Sequence, residues 1–580
     1  MYGGQPSGCS SLAEGCKTYM ETLVFLAAMA VFVLVIFVSE GVRTKKEEKK
    51  FIETLYHDYG KLSEKEYALE RFARMGSFFD RHHRKGQLDD ITWNDLGMDE
   101  LFKRMNYTLS ASGEEYLYYT LRTLKQEDGE LAHLEEAVRF FGEHPETRVR
   151  VQLAANRLGH TGKFSLYDYL DNLDFLGERS SRKHLIVDLL FLPLIGLLWV
   201  NVSLAVLGIV ALIVYNILTY FREKGEIDPY IASFSYIMRL MRCCEELGKL
   251  DLPVCREEWA QMRQARKQMQ GMARNSYWVI SPFRGNSSGD ILAMVLDYIR
   301  MVFHVDLIKF DSMLNTVRGH IGDVDAMIET VGYVETVIAI WIFRESLGET
   351  GWCTPDFTAE KGLSLEAGYH PLLRAPVKNG IAAGKGVLLT GSNASGKSTF
   401  LKMVAINAIL AQTIHTCTAD SYRAPFYHVY SSMALRDDME SGESYYIVEI
   451  KALKRILDAA AGDAPILCFV DEVLRGTNTV ERIAASTQIL KSLGRTGILC
   501  FAATHDIELT ELLQGEFDNY HFEEDVAEGD VVFNYRLKEG KATTRNAIKL
   551  LELMGYDRDV IEKASAQAER FAADGVWQAV

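Results

Sequence analysis

The feature that most constrains this chain is a block of 37 residues, 185–221, in which Asp188 is the only charged side chain. A membrane-spanning helix needs about 20 apolar residues, so the block is too long for one ordinary span and matches two short ones. Cationic residues stand on both sides of the block: Arg179, Arg182 and Lys183 before it, and Arg222 and Lys224 after it. Because cations collect on the cytoplasmic side, the sequence predicts a transmembrane helical hairpin with both ends in the cytoplasm. The alternative is a buried helix pair in a soluble domain, although core helices rarely lack charge on every face.

A second apolar segment, residues 22–38, has 17 residues and no charge. A helix of this length reaches about 26 Å, close to the roughly 30 Å of the hydrocarbon core, so it is also predicted to span the membrane. A cleaved signal peptide and a buried helix are the alternatives, but the leader is not basic and the cation-rich stretch 43–50 follows the segment. The predicted protein is a multi-pass protein of the cell membrane, with residues 1–21 outside and nearly all later residues in the cytoplasm.

The overall composition conceals these segments, since the mean hydropathy is only -0.04. A net charge of -16 argues against a surface that is basic everywhere, as in proteins that coat nucleic acid, but leaves a local basic groove open. Of the nine cysteines, the seven from Cys243 onward lack metal-type spacing and are predicted to be buried thiols in a reducing compartment.

The rest of the chain divides by its hydrophobic periodicity. Residues 41–180 and 225–345 carry apolar residues at helical spacing, with long stretches at 290–315 and 323–344. Beyond Gly351, short apolar strands alternate with glycine turns and helices, which is the pattern of a parallel sheet. The predicted fold is therefore multidomain: an α-helical core and lever region with transmembrane helices, followed by a C-terminal α/β domain.

A phosphate-binding loop stands between a predicted strand, 386–390, and a predicted helix, 399–410. Its sequence, GSNASGKS at 391–398, satisfies the pattern G-x-x-x-x-G-K-[ST] in the strand, loop and helix context that the pattern requires. The glycines let backbone N–H groups surround phosphate oxygens, Lys397 reaches the terminal phosphates, and Ser398 supplies a hydroxyl to Mg2+. The predicted nucleotide-binding residues are Gly391, Ser392, Asn393, Ala394, Ser395, Gly396, Lys397, Ser398 and Thr399.

Two further predicted strands end in groups that suit phosphate chemistry. The strand 465–470 leads directly into Asp471 and Glu472, and a later apolar strand ends just before His505. Asp471 is predicted to hold Mg2+ together with Ser398, and Glu472 to polarise the attacking water. His505 is predicted to sense the γ-phosphate, because ligands bind where neighbouring parallel strands end. An acidic pair in a solvated turn is the alternative, and the P-loop upstream disfavours it.

The order of these motifs resembles the MutS family of DNA mismatch-repair ATPases. Four segments carry the resemblance: GSNASGKSTFLK (391–402), RDDMESGESYYIVEI (436–450), DEVLRGTNT (471–479) and ATHDIELTELL (503–513). The stretch GYHPLL at 368–373 is similar to the family's His-Pro approach to the ATPase domain, and residues 543–570 are similar to its dimerisation helices. A looser similarity to the family's helical core and lever helices covers 91–160 and 290–345.

The resemblance implies a P-loop ATPase domain of the ABC type that uses ATP and Mg2+ in a homodimer with two composite ATP sites. Asn393 matches the P-loop asparagine that contacts phosphate, and His505 matches the histidine switch. Ser444 matches the signature serine that reaches across the dimer to the partner's nucleotide. Val377 is a loosely aligned match to an adenine contact.

These boundaries give the predicted domain organisation. The domains are an extracytoplasmic segment 1–21, a transmembrane helix 22–38, a juxtamembrane helical segment 41–90, a MutS-like helical core and lever 91–345 interrupted by the hairpin at 185–221, and an ATPase domain with dimerisation helices 355–575.

The chain also departs from the family in ways that bear on DNA. Mismatch-reading members use an aromatic-x-Glu wedge, whereas residues 41–90 are shorter than a typical domain of about 100 residues. Phe51-Ile-Glu53 is interpreted as part of an amphipathic juxtamembrane helix. The predicted form is therefore truncated and lacks the mismatch-reading and connector domains.

The DNA-clamping part of the family also looks reduced in this chain. The cationic stretch 256–274 is either a phosphate groove or a solvated helix face. DNA, in a role like mismatch repair or in recognition of another DNA structure, is thus a candidate partner. The alternative is a membrane-linked mechanical or signalling ATPase that does not bind DNA. Transport is disfavoured, because three spans can hardly line a substrate pathway.

Overall fold

A computed structural model divides the chain into two units, Met1–Lys61 and Leu62–Val580. The structure describes residues 39, 42–43, 45–57, 61, 65, 67, 69–84, 86–162, 164–250, 252–273, 279, 298–392, 395–433, 445–460, 462, 464–474, 477–495, 497–527, 530–542, 548, 551–552, 554–575 and 577. In the first unit, residues 45–57 form helix α1, whose less exposed residues Phe51, Ile52, Leu55 and Tyr56 share one face. The predicted span 22–38 and the segment before it lie outside the described residues.

The second unit begins with a helical region. Its helices are α2 (Leu69–Phe72), α3 (Ser77–Arg81), α4 (Asp90–Leu96), α5 (Met98–Met105), α6 (Ala111–Arg122), α7 (Asp128–Glu143), α8 (Pro145–Leu158), α9 (Leu166–Leu170), α10 (Arg182–Leu189), α11 (Phe191–Leu197), α12 (Val202–Leu247), α13 (Arg256–Gln268), α14 (Gln270–Ala273), α15 (Val305–Gly319) and α16 (Ile321–Ser346).

Helix α16 is the centre of this region. Its most apolar stretch would suit a membrane by composition, but 78% of that stretch is buried inside the fold. α16 crosses α6 closely because Gly332 has no side chain: a Cβ there would lie 2.4 Å from the Cβ of Tyr116. One turn further on, the buried carboxylate of Glu335 accepts hydrogen bonds from Leu109 N (2.6 Å) and from Ser110 Oγ. Since Ser110 is the N-cap of α6, α16 also fixes where α6 begins.

Helix α12 is 46 residues long and has two different surfaces. Asn201 begins it by accepting a hydrogen bond from Leu204 N at 3.0 Å. Its first part packs along α11, where a Cβ at Gly208 would lie 2.7 Å from Leu194, and its apolar side chains are exposed. Only 11% of this apolar stretch is buried, whereas the later part of α12 lies in the core of the helical region. Residues 182–221 therefore form a helical hairpin with its turn at 198–201.

The predicted long helix over 290–315 differs from the structure, which describes the chain here from residue 298 onward. The helical residues 298–303 are separated from α15 by His304, which has a left-handed backbone with φ of 47°. The buried His304 ring contacts the Thr219 hydroxyl at 3.1 Å, and Val302 O accepts a hydrogen bond from Asn216 at 2.7 Å. These contacts with the hairpin favour a bend that local periodicity does not reveal.

The rest of the second unit is an α/β domain. Its strands are β1 (Asp356–Phe357), β2 (Leu363–Gly368), β3 (Asn379–Ala383), β4 (Gly386–Thr390), β5 (Ser421–Ala424), β6 (His428–Ser432), β7 (Ile466–Asp471), β8 (Ile498–Ala503), β9 (Phe517–Ala527) and β10 (Asp530–Glu539). Its helices are α17 (Lys397–Ile414), α18 (Tyr445–Ala459), α19 (Thr479–Leu493), α20 (Glu508–Leu512) and α21 (Arg558–Asp574).

These strands form two mixed sheets. The larger has the order β10-β9-β4-β8-β7-β6, in which all neighbours are parallel except the antiparallel edge pair β10 and β9. The smaller has the order β1-β5-β2-β3. Every residue of β4 is buried, as expected for a central strand covered on both faces. The prediction of a helical region followed by a C-terminal α/β domain is confirmed.

A buried ion pair, here called the Arg344 joint, connects the two regions. At the end of α16, Arg344 donates to both carboxylate oxygens of Glu135 on α7 (2.9 and 2.7 Å). Its Nε donates to Thr416 Oγ1 (2.9 Å) and its Nη2 to His415 O (3.0 Å), directly after α17. Burial raises the pKa of Glu135, but its hydrogen bonds with His415 and Arg344 outweigh burial and lower the pKa to about 2. The joint therefore stays charged at physiological pH.

Replacing Gly332 by alanine is expected to lower the free energy of unfolding by about 1–3 kcal/mol, since overpacking of a tight crossing has this typical cost. The new Cβ would overlap Tyr116 and would lie 2.8 Å from the carbonyl oxygen of Ser112. Gly322→Ala on the same helix is the matched control, because no atom in the described part of the chain lies within 4 Å of a Cβ there. Urea unfolding of the solubilised protein measures both variants, and equal effects would contradict the close crossing.

Candidate functional site

Three neighbouring strands of the larger sheet end at one edge, and the predicted functional residues follow them. β4 leads into the P-loop, β7 ends at Asp471, and β8 leads towards His505. Asp471 lies opposite Ala503 in the β7–β8 register. Because parallel strands have their carboxyl ends at the same edge, the fold brings the P-loop, the acidic pair and the histidine together.

The described residues of the P-loop lie close to the side chain of Lys397. Gly391 and Gly396 have φ of 142° and 107°, a conformation that a side chain would strain. The Lys397 ammonium donates to the carbonyl oxygens of Gly391 and Ser392, at 2.8 Å each. Its side chain is buried, so its charge is held inside the loop at the start of α17, where phosphate oxygens bind in such loops.

The other predicted loop residues are placed as follows. Ser395 is buried, and Ser392, Ser395, Gly396, Ser398 and Thr399 line a cavity beside the loop. Asn393, Ala394 and the predicted signature serine Ser444 lie outside the described residues.

The cavity has a volume of about 520 Å3, within the range of small-molecule sites. The P-loop and Glu472 contribute polar groups to its lining. The other lining residues, most of them apolar or aromatic, are His370, Leu373, Ala375, Val377, Asn379, Phe400, Met403, Phe522 and Tyr535. A ligand that carries both phosphates and a flat apolar group fits this lining. Val377, the loosely aligned adenine contact, is one of the apolar residues.

Tyr535 is a site residue that the sequence did not indicate. Strand β10 has a bulge between Phe533 and Leu537, and Tyr535 within it has a left-handed backbone with φ of 54°. Asn379 secures the bulge by donating to Tyr535 O and accepting from Leu537 N, at 2.9 Å each. A Cβ at Gly396 would lie 3.2 Å from the Tyr535 ring, so the ring stands beside the P-loop. Bulges re-aim side chains in this way, and no local pattern reveals them.

His370 is a second residue whose role at the cavity was missed, although its stretch contributed to the family resemblance. Burial and the nearby cation of Lys402 lower the pKa of His370 to about 4. The imidazole is therefore neutral at physiological pH, and a neutral ring can stack on a flat ligand group without importing charge.

Glu472 and His505 form a direct pair. Their side chains approach to 2.6 Å between Glu472 Oε1 and His505 Nε2. Glu472 has a left-handed backbone with φ of 59°, and its N–H donates to Ala503 O at 2.9 Å. Non-glycine residues in this conformation are uncommon and cluster at functional sites. The backbone turn thus aims the carboxylate at both the cavity and the histidine.

Asp471 fits the role of a magnesium ligand. Its Oδ1 is buried and makes no hydrogen bond among the residues that the structure describes. An orphaned buried carboxylate oxygen is costly unless a cation or water satisfies it. Together with the hydroxyl of Ser398, it supplies the hard oxygen donors that Mg2+ prefers. The residues present therefore fit this ion.

Glu449 stabilises the turn that follows Asp471 and Glu472, a role that the sequence did not indicate. This buried residue of α18 accepts a hydrogen bond from the N–H of Leu474, whose backbone is also left-handed, with φ of 60°. The segment 434–444, directly before α18, lies outside the described residues. Glu449 belongs to the motif 436–450, but nothing in that motif indicates which carboxylate turns inward.

Comparison with known proteins agrees with this geometry. The family model MutS domain V matches residues 387–572. The DNA mismatch repair protein MutS of Lactobacillus delbrueckii subsp. bulgaricus is 29% identical over 279 residues, which cover 46% of this chain and 32% of that protein. The DNA mismatch repair protein MutS of Thermus thermophilus is 32% identical over 228 residues, covering 38% of this chain and 28% of that protein. The chain thus spans about a third of the length of these curated relatives.

Proposed function

Because the C-terminal domain of this chain belongs to the MutS family, we propose that the protein is an ATPase that binds and hydrolyses ATP with Mg2+. The observation that carries the proposal is the convergence of three groups on one edge of the sheet: Lys397 and Glu472 line the cavity of about 520 Å3, and His505 contacts Glu472 at 2.6 Å. No single motif would support it as strongly, since these groups come from three separated parts of the chain.

In the proposed reaction, backbone N–H groups of the P-loop and the Lys397 ammonium bind the phosphates of ATP. Ser398 and Asp471 would hold Mg2+, which neutralises charge developing on the phosphate oxygens. Glu472 orients and polarises the attacking water, accepting its hydrogen bond at the carboxylate. His505, 2.6 Å from that carboxylate, positions it before the water binds and then faces the terminal phosphate.

The proposed active form is a homodimer. Ser444 would complete the partner's nucleotide site, as the family resemblance implies. A second space of about 260 Å3 shares Glu472 with the first cavity and is also lined by Val473, Arg482, Thr504, His505 and Asp506. Arg482 and Asp506 form a bidentate ion pair there (2.9 and 2.7 Å), which keeps this rim rigid.

Glu472→Ala is expected to reduce the rate of ATP hydrolysis by about 100-fold or more, because removal of a general base typically costs this much. Nucleotide binding should persist, since the P-loop is unchanged. Phosphate release and binding of a fluorescent ATP analogue measure the two properties. Glu508→Ala, which removes an exposed carboxylate close to the site, is the control and should hydrolyse at the parental rate. An unaltered turnover in Glu472→Ala would refute the assigned role.

We also propose that the apolar part of the hairpin, 185–221, inserts into the cell membrane, with the ATPase domain in the cytoplasm. The hairpin exposes large apolar side chains, including Trp199 (85% exposed), Leu207 and Leu218, and turns its polar Asn216 fully inward. The Asn216 side-chain nitrogen donates to Asp188 at 3.2 Å and to Val302 O at 2.7 Å, both on the inner side of the hairpin. Polar side chains inside and apolar ones outside are what a lipid environment requires.

DNA is the further proposed partner, and helix α13 is its candidate contact. Trp259, Met262 and Ala265 bury one face of α13, which leaves Arg263 and Lys267 exposed. On the same helix, Arg266 is engaged with Glu245 at 2.7 Å. The exposed apolar hairpin favours the second candidate function, a membrane-linked mechanical or signalling ATPase without DNA.

Titration of the detergent-solubilised protein with duplex and branched DNA separates these two functions. If DNA binds, its affinity should fall with salt by a log–log slope of about -0.9 for each phosphate neutralised. The double variant Arg263→Gln with Lys267→Gln should make that slope less steep, by the contribution of about two phosphate contacts. The matched control is Arg157→Gln, which alters an exposed ion pair with Glu246 on other helices. An absence of affinity would leave the membrane-linked function.

A further inference from the structure

The base of the hairpin is fastened to helix α15 by buried charges. Arg179, just before α10, pairs with Glu223 of α12 (2.9 Å) and with Asp311 of α15 (3.4 Å). On the opposite side, Asp306 of α15 accepts a hydrogen bond from Tyr220 of α12 at 2.9 Å. The Arg179, Asp306 and Asp311 side chains are only 12%, 4% and 6% exposed. Ion pairs with so little solvent resist screening, so the hairpin base and α15 are expected to move together.

Helix α12 itself is weak just beyond this base. Pro229 lies inside the helix, where it lacks an N–H and its ring crowds the carbonyl of Gly225, four residues earlier. Glycine at that position also lowers helix propensity. The part of α12 before Pro229, which carries the exposed apolar residues, can therefore change its angle to the part after Pro229, which is buried in the core. A change in the tilt of the hairpin therefore reaches the helical core more directly through α15 than through α12.

Helix α15 leads, across His320, into α16, and α16 ends at the Arg344 joint. α16 has 26 residues, so it spans about 39 Å as a rigid, mostly buried rod. At the joint, Arg344 holds Glu135, His415 and Thr416. His415 and Thr416 follow α17, whose first residue is Lys397 of the P-loop. A continuous series of helices and buried polar contacts thus connects the hairpin base to the nucleotide site.

We infer that a lipid bilayer around the hairpin regulates the ATP site, through the Arg179 clamp (the ion pairs of Arg179 with Glu223 and Asp311), α15, α16 and the Arg344 joint. The bilayer sets the tilt of the hairpin, because a span adjusts its tilt to the hydrocarbon thickness. The clamp converts that tilt into a displacement of α15 and α16, and the joint passes the displacement to α17 and the P-loop. The inference rests on the proposed ATPase function and on insertion of the hairpin.

The test compares ATP hydrolysis by the full-length chain in detergent and in phosphatidylcholine nanodiscs with 14-carbon and 22-carbon acyl chains. The expected result is a difference of at least about fivefold between thin and thick bilayers, the lower end of typical allosteric couplings. Arg179→Gln should remove this dependence and keep the parental rate in detergent. Arg157→Gln, which alters an exposed ion pair outside the clamp, is the matched control and should retain it.

Three results would overturn the inference. Equal rates in all bilayers would refute regulation by the membrane and leave the proposed ATPase intact. Full thickness dependence in Arg179→Gln would refute the clamp as the route. An absence of hydrolysis in detergent and in every bilayer would refute the proposed ATPase itself, and with it this inference. If Arg179→Gln does not fold, Asp311→Asn tests the same contact from the α15 side.

Discussion

The buried ion pair between Arg344 and Glu135 is a charged contact at the boundary between the helical region and the α/β domain. It joins the end of α16 to α7 and, through His415 and Thr416, to the end of the helix that begins at the P-loop. The Arg344 guanidinium also lies 4.2 Å from the centre of the Trp352 ring, which covers it. Removing one partner from such a buried pair costs about 3–5 kcal/mol, because the other charge is left uncompensated. The contacts of Arg344 therefore couple the central helix of the helical region directly to the helix that begins at the P-loop.

Much of the architecture could be predicted from the sequence because local patterns determine it. The spacing of GSNASGKS placed the P-loop between β4 and α17, and the apolar strands before Asp471 and His505 are β7 and β8. The change from helical periodicity to strands near Gly351 also matches the division of the structure into a helical region and an α/β domain. These features depend on residues that are neighbours in the chain.

Features that depend on distant contacts could not be predicted. Tyr535 reaches the cavity because Asn379, far away in the sequence, secures a bulge in β10. Glu449 supports the acidic turn only once α18 packs behind it, and His304 breaks the expected helix because the hairpin lies beside it. Composition alone is equally insufficient for α16. This helix is apolar enough to cross a membrane, yet it is buried in the protein. In each case, tertiary packing decides between conformations that the local sequence allows equally.

The proposed membrane insertion of the hairpin and the proposed ATP site together describe a membrane-attached ATPase. The hairpin 182–221 exposes an apolar surface that suits lipid, whereas the rest of the chain is acidic and suits water. The net charge of -16 and the mean hydropathy of the whole chain conceal this difference. An apolar surface of this extent is unusual for a protein surrounded by water, and the proposed insertion would account for it. In the proposed regulation, the buried contacts at the hairpin base would relate the lipid phase to the nucleotide site.

The most direct test of membrane insertion measures how accessible the hairpin turn is from outside intact cells. A cysteine at the exposed turn, Val200→Cys, is placed in a chain with Cys9→Ser and Cys16→Ser, and labelled with a membrane-impermeant maleimide. Gln514→Cys, exposed on the ATPase domain, is the cytoplasmic control. If the hairpin crosses the membrane, Val200→Cys is labelled from outside and Gln514→Cys is labelled only after lysis. Labelling of both only after lysis would contradict a hairpin that crosses the membrane.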